Sequence, residues 1–186
     1  MSLHASVVAT LTDWDAPDDD RDALRQAVLG FVLARADACE RACEPGHITA
    51  SAAVLDHTGT RVLLTLHPRL GRWVQLGGHC EPEDGDIRAA ALREATEESG
   101  IAGLRLLPDL ATLHVHALTC SLGRPTRHLD LQFVAVAPPG AEPARSDESL
   151  DLGWWPVDAL PAGSDAALTR LVAVATAAAA NYTSLE

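Results

Sequence analysis

The sequence predicts the α/β class, as an α/β/α sandwich with a mixed sheet, an N-terminal helix, a central helix and a C-terminal helix. Three observations predict it. Strand-like segments at 48–55, 61–66, 73–76, 111–116, 129–136 and 152–155 surround one helical pattern at 87–99. Further helical patterns occupy 18–43 and 165–180. No repeat and no linker divides the 186 residues, a length suited to one globular domain over 1–186.

Taken in order, 18–43 reads as an N-terminal helical extension. Acidic residues crowd its start, where the helix dipole favours them. Ala23, Ala27, Val28, Phe31, Val32 and Ala38 make a mostly 3.6-residue apolar stripe, and Pro45-Gly46 ends it. The segments 48–55 and 61–66 flank the turn Asp56-His57-Thr58-Gly59, an antiparallel hairpin signal. A short strand at 73–76 runs into Gly77-Gly78. After an acidic loop, Asp86 as N-cap and Gly100 as C-cap bound the central helix. Its apolar face, Ile87, Ala91, Leu92 and Ala95, is expected to pack on the sheet. Leu129, Leu131 and Phe133 alternate with Asp130 and Gln132, a half-buried strand. Trp154 and Trp155 fall on opposite sides of a last extended piece.

The charge balance narrows the function classes. There are 14 basic residues, all Arg, against 26 acidic ones, and the net charge is −12. That excess repels a phosphate backbone and argues against long nucleic acid. It does not argue against a small phosphorylated ligand carried with a divalent cation. No apolar run reaches 18 residues, so no membrane span is expected. The N-terminus lacks a basic segment followed by an apolar one. Cys39, Cys43, Cys80 and Cys120 lack paired zinc spacing and read as reduced thiols. A cytoplasmic location is the resulting expectation, and the Arg-only, Ala-rich composition is associated with a bacterial source.

The chemistry concentrates on 77–101. Glu94 and Glu98 are four apart and share one helix face, with Glu97 close beside them. Like charges at this spacing repel, and the C-terminal half of a helix disfavours anions. Three carboxylates that oppose both local rules call for a cation, and hard oxygen ligands suit Mg²⁺ or Mn²⁺. Arg93 compensates in part through Glu97. Gly77-Gly78 allows a backbone carbonyl to approach a metal or a phosphate.

This run resembles the Nudix hydrolase family. The family signature reads Gly, five residues, Glu, seven residues, Arg-Glu, an aliphatic, any residue, Glu-Glu, any residue, Gly, an aliphatic. The second half is matched by Arg93-Glu94-Ala95-Thr96-Glu97-Glu98-Ser99-Gly100-Ile101. The first half departs, because Gly78 to Arg93 is one residue longer and the expected Glu falls on Gly85. Asp84 or Asp86 is left to supply that carboxylate. The hairpin before the box, the Trp73 strand and Trp154-Trp155-Pro156-Val157 extend the resemblance more weakly.

The resemblance implies a divalent-metal-dependent hydrolase that cuts a phosphoanhydride bond in a nucleoside diphosphate linked to another moiety. It implies Glu94, Glu97, Glu98 and the Gly78 carbonyl as metal ligands. Glu97 is also a candidate base, on what would be a central catalytic helix, and Arg93 the ion-pairing tie of the loop-helix unit. Some members take the base from outside the box, and Glu148 is the candidate here.

His79 is the first candidate for substrate phosphate. Arg61, Arg72 and Trp73 join it on their nearness to the hairpin and the box. His114 and His116 share one strand face, as do His128 and Asp130; a phosphate contact or polar network is the reading, since no third metal ligand is assigned. Other candidate approaches to this region are His67, Arg69 and Arg127. Two rivals remain: an inactive nucleotide-binding module, and an isoprenoid diphosphate isomerase-like enzyme that would need Cys80. A monomer and a homodimer are equally open.

Overall fold

A computed structural model describes residues 1–119, 123–147 and 149–183. Among them, four helices and an eight-stranded sheet follow in the order α1 (Leu3–Asp13), α2 (Asp19–Ala34), β1 (His47–Leu55), β2 (Arg61–His67), β3 (Arg72–Val74), β4 (Leu76–His79), α3 (Ile87–Ser99), β5 (Arg105–Leu106), β6 (Thr112–Thr119), β7 (Pro125–Val136), β8 (Asp151–Pro156) and α4 (Ala166–Thr183). The sheet is mixed. β1 and β7 run parallel in register from His47↔His128 to Leu55↔Val136, while the other pairings are antiparallel.

β1 is buried along its whole length because both of its faces are covered. Ile48 and Ala50 join Ile87, Ala90 and Ala91 of α3, Val7 and Leu11 of α1, and Val28 and Val32 of α2 in one apolar cluster. Ala53 and Leu55 face the other way, into a cluster with Leu168, Leu171, Val172 and Ala175 of α4. Three helices therefore cover one face and α4 the other, which is the expected sandwich. Trp154 and Trp155 separate into opposite layers.

α4 covers only half of its face. On β1 that face reads His47, Thr49, Ser51, then Ala53, Leu55; on β7 it reads His128, Asp130, Gln132, then Val134, Val136. The apolar halves lie under the helix. The polar halves form a separate surface at the other end of the same strands.

Two expectations are corrected. The helix expected over 18–43 stops at Ala34, and α1 precedes it. Beyond Ala34 the chain forms single turns, Ala38 N–H to Arg35 O and Glu40 N–H to Asp37 O. Ala38 is fully buried and its carbonyl accepts from Ile48 N–H at 2.8 Å, so a tertiary contact overrides the local helix propensity. The strand expected over 73–76 is two strands. β3 pairs with β2 and β4 with β1, and the chain changes partner at Gln75. Gln75 is drawn out by hydrogen bonds to Ser51 Oγ and Asp130 Oδ2. β5 forms a short addition ahead of β6.

Candidate active site

The site is built where α3 meets β4. Helix α3 begins at Asp86, whose carboxylate accepts from Ala89 N–H at 2.8 Å, and ends at Gly100 with φ 66°. Small side chains at Ala90, Ala91 and Ala95 are fully buried and let the helix lie close on the sheet. Leu92 is half-buried and packs on the cluster of Ala52, Val54 and Leu76 as expected, and Ala90 extends the packed face.

That close approach brings the carboxylates to the glycine pair. A Cβ added at Gly78 would lie 2.7 Å from Glu94 Oε2, so the carboxylate occupies the space a side chain would need. Glu98 Oε2 accepts from Gly77 N–H at 2.9 Å. Gly77 itself has φ 153°, and a Cβ there would sit 2.5 Å from Ser51 Cα. Backbone excludes a side chain at Gly77, and a side chain at Gly78 would displace the Glu94 carboxylate. Glu94 is 14% exposed and Glu97 61%.

Arg93 ties the loop to the helix. Its Nε and Nη2 donate to the two Asp84 oxygens at 2.9 and 3.0 Å, a bidentate pair. Nη2 also donates to the His79 carbonyl at 2.9 Å, and Nη1 to Glu94 and Glu97, both at 3.1 Å. Asp84 is nearly buried and also accepts from Glu81 N–H at 2.8 Å. Burial pushes the Asp84 carboxyl up, but the Arg93 hydrogen bonds and charge together with the Glu81 amide outweigh it and hold the group below the usual range. Asp84 thus makes the contact with Arg93, while Asp86 caps the helix.

The residues fit a hard divalent cation. Glu94 and Glu98 reach a backbone that carries no side chain, and Glu97 stands one turn along with its carboxylate open to water, so the donors available here are oxygens of the kind a hard cation takes. Arg93 neutralises part of that charge, and one guanidinium is shared among Asp84, Glu94 and Glu97.

On the opposite face of β4 lies the polar surface of the sheet. Asp130 is buried and its carboxylate accepts from Thr49 (3.1 Å), Ser51 (2.7 Å), Gln75 (3.2 Å) and Gln132 (2.9 Å). Beside it stand His47, His79 and His128, with ring centroids 4.9 to 5.1 Å apart. His116 continues the row 5.2 Å from His128, and His114 stacks on His116 at 5.2 Å. Burial first, then the neighbouring positive groups, lowers the His79 pKa to about 4 and that of His128 to about 3.

The sequence expectations fare differently from one another. Gly78, Arg93, Glu94 and Glu98 meet, with Glu97 tied in through Arg93; of His79 only the backbone carbonyl joins them, and its ring lies on the other face of β4. Arg72 pairs with Asp165 at 2.7 Å and acts electrostatically on His116, at the margin of the polar surface. Arg61 lies at the far end of the hairpin, where it binds Asp56 at 3.1 Å and sits 5.5 Å over the Trp154 ring. Trp73 packs edge-on against Trp155 at 5.2 Å, in the α4 layer. Glu148 and Cys120 lie outside the described residues. His67 accepts the backbone N–H groups of Arg69 and Leu70 and closes a turn. Cys80 is buried in the apolar cluster under α1, α2 and α3, and burial raises its thiol pKa. That placement removes the group an isomerase-like reading needs.

His47, Thr49, Ser51, Gln75, Asp130 and Gln132 were not singled out as site residues from the sequence. A signal existed: three polar residues at period two open β1, an otherwise apolar strand.

The NUDIX domain family model matches residues 45–173. No curated protein matches the chain significantly. Several solved structures share the fold. One is a Caenorhabditis elegans Ap4A hydrolase, 22% identical with TM-score 0.55, covering 72% of this chain and 98% of its own. A NUDIX-family hydrolase from Clostridium perfringens is 23% identical with TM-score 0.52, covering 73% and 97%. The dihydroneopterin triphosphate pyrophosphohydrolase of E. coli is 20% identical with TM-score 0.55, covering 67% and 91%. With most of the chain matched by the family model, and Glu94 and Glu98 closed onto Gly77-Gly78 beside Arg93, the chain belongs to the Nudix family of pyrophosphate-bond hydrolases.

Proposed function

We propose that the protein is a Mg²⁺- or Mn²⁺-dependent hydrolase of a small nucleoside diphosphate derivative, cutting a phosphoanhydride bond. The observation that carries this reading is the closure of Glu94 and Glu98 onto Gly77-Gly78, where no side chain intrudes. Glu94, Glu97, Glu98 and the Gly78 carbonyl would hold the cation. When bound, it neutralises diphosphate charge and acidifies a water.

The chain's own groups supply the rest. Arg93 fixes the orientation of Glu94 and Glu97 and keeps the 80–86 loop against α3. Glu97 is the exposed carboxylate, and it accepts the proton of the attacking water. Glu148 is the alternative base from outside the box. His79 and Arg72 are the contacts offered to substrate phosphate. Arg61, at the far end of the hairpin on Asp56 and Trp154, and Trp73, packed on Trp155 in the α4 layer, are not offered. A cytoplasmic location fits the free thiols Cys39, Cys43 and Cys80. Either a monomer or a homodimer could carry this site.

The test is a hydrolysis screen of the full chain with Mg²⁺, with Mn²⁺ and with chelator. Substrates are nucleoside triphosphates, Ap4A, dihydroneopterin triphosphate, ADP-ribose, NAD(H) and nucleotide sugars, with products identified. Cation-dependent release of a nucleoside phosphate from one class supports the reading. Undiminished turnover in chelator, or binding without turnover across the whole set, overturns it. The second outcome would favour the nucleotide-binding module.

A further inference from the structure

The histidine side chains on the polar face of the sheet lie across β4 from the carboxylates of α3. His47, His79 and His128 come from three strands. β1 and β7 pair in parallel and set His47 beside His128, and β4 sets His79 opposite Thr49. One ligating nitrogen from each lies within 4.8 Å of the others. The Nε2 atoms of all three are buried without a hydrogen-bond partner. His47 is 1% exposed, and its Nδ1 lies 3.4 Å from the Cys43 carbonyl. That backbone acceptor takes the Nδ1 proton and leaves the Nε2 lone pair for the cluster. Buried polar atoms are ordinarily paired, and one ion among the three imidazoles would supply a shared partner.

We propose that His47, His79 and His128 form a binding site for one borderline transition-metal ion, Zn²⁺ first, with an open fourth position. Three imidazoles with a free position match zinc, whereas Mg²⁺ prefers oxygen. Zn–N bonds of about 2.0–2.1 Å require roughly 1 Å of movement per nitrogen from the present separation. The site does not depend on the carboxylates of α3, which lie across β4.

The experiment separates the two sites. Metal-stripped full-length protein is titrated with Zn²⁺ against a chromogenic chelator, in excess Mg²⁺. Co²⁺ is then added in its place and the visible spectrum recorded. Wild type should take up one Zn²⁺ per chain and give the intense bands of tetrahedral Co²⁺. His79→Gln and His128→Gln should each weaken Zn²⁺ binding about tenfold or more. The double variant Glu94→Gln, Glu98→Gln should bind Zn²⁺ as wild type does, whatever its turnover. No uptake by wild type in excess Mg²⁺ overturns the proposal. So does loss of uptake in the Glu variant with retention in the His variants. If the His variants do not fold, the wild-type Co²⁺ spectrum decides, and a weak octahedral spectrum overturns it.

Discussion

The two faces of β4 are lined by different chemistry, and the contrast lies in how each is satisfied. On the α3 side, Gly78 meets Glu94, Glu98 receives the Gly77 amide, and Arg93 links Asp84, Glu94 and Glu97. Its charges are partly paired, and Glu97 is open to water. On the other side, Asp130 is fully hydrogen-bonded while the neighbouring imidazole nitrogens are buried and unpaired. The first arrangement suits a hard cation exchanging with solvent. The second suits a softer ion held by nitrogen. One short strand, with Gly78 toward one side and His79 toward the other, allows both.

The largest expected effect breaks the carboxylate side alone. Glu98→Gln keeps an oxygen to accept from Gly77 N–H, so the fold should persist. Turnover should fall on the order of 10²–10³-fold, as when one preorganised charge-stabilising group is lost. Steady-state kinetics beside a melting curve check this. Full retained activity would remove Glu98 from the proposed cation site.

Next is Asp84→Ala. It strips the bidentate partner from Arg93, which is 22% exposed and keeps Glu94 and Glu97. Because the guanidinium is only partly unpaired, the cost should be about 2 kcal/mol rather than that of a wholly orphaned charge. Urea denaturation measures it, and turnover should fall with the loosened loop. No change in either would deny Asp84 its anchoring part.

These two variants also mark what the sequence could and could not convey. Helix α3 was legible to the residue, because Asp86, Gly100 and the alanine face are local signals. The hairpin and the division of Trp154 from Trp155 were legible for the same reason. The end of α2 was not, since it depends on Ala38 bonding to Ile48 of a later strand. The histidine cluster was not, since it depends on β1 and β7 pairing across some eighty residues. His67, nearer in sequence to the box, is excluded by its own turn, while His47, just after the Pro45-Gly46 helix stop, is included. Asp84 against Asp86 could not be separated by counting, because the loop's extra residue is absorbed between Asp84 and Arg93.

The acid limb of stability should report the carboxylate side. Asp84's folded pKa lies below its unfolded value near about 3.9. The unfolded state therefore binds the proton more readily, and Asp84's contribution is whole above that pH and lost as pH falls through the folded pKa. Asp84→Ala should flatten this part of the stability profile below pH about 4. An unchanged acid limb would mean that other carboxylates dominate it.

The smallest effect separates neighbours two residues apart. Asp86 caps α3 through Ala89 N–H and makes no ion pair with Arg93. Asp86→Ala should cost about 1 kcal/mol, the usual loss of a helix N-cap. Arg93 would keep its bonds to Asp84 and the His79 carbonyl, so the loss of turnover should be smaller than with Asp84→Ala. A cap can be replaced in part by water at an exposed helix end, whereas the buried Asp84 pair cannot. An equal or greater loss of turnover in Asp86→Ala would transfer the loop-anchoring part to Asp86, and would mean that the start of α3, rather than Arg93, sets the position of Glu94 and Glu98.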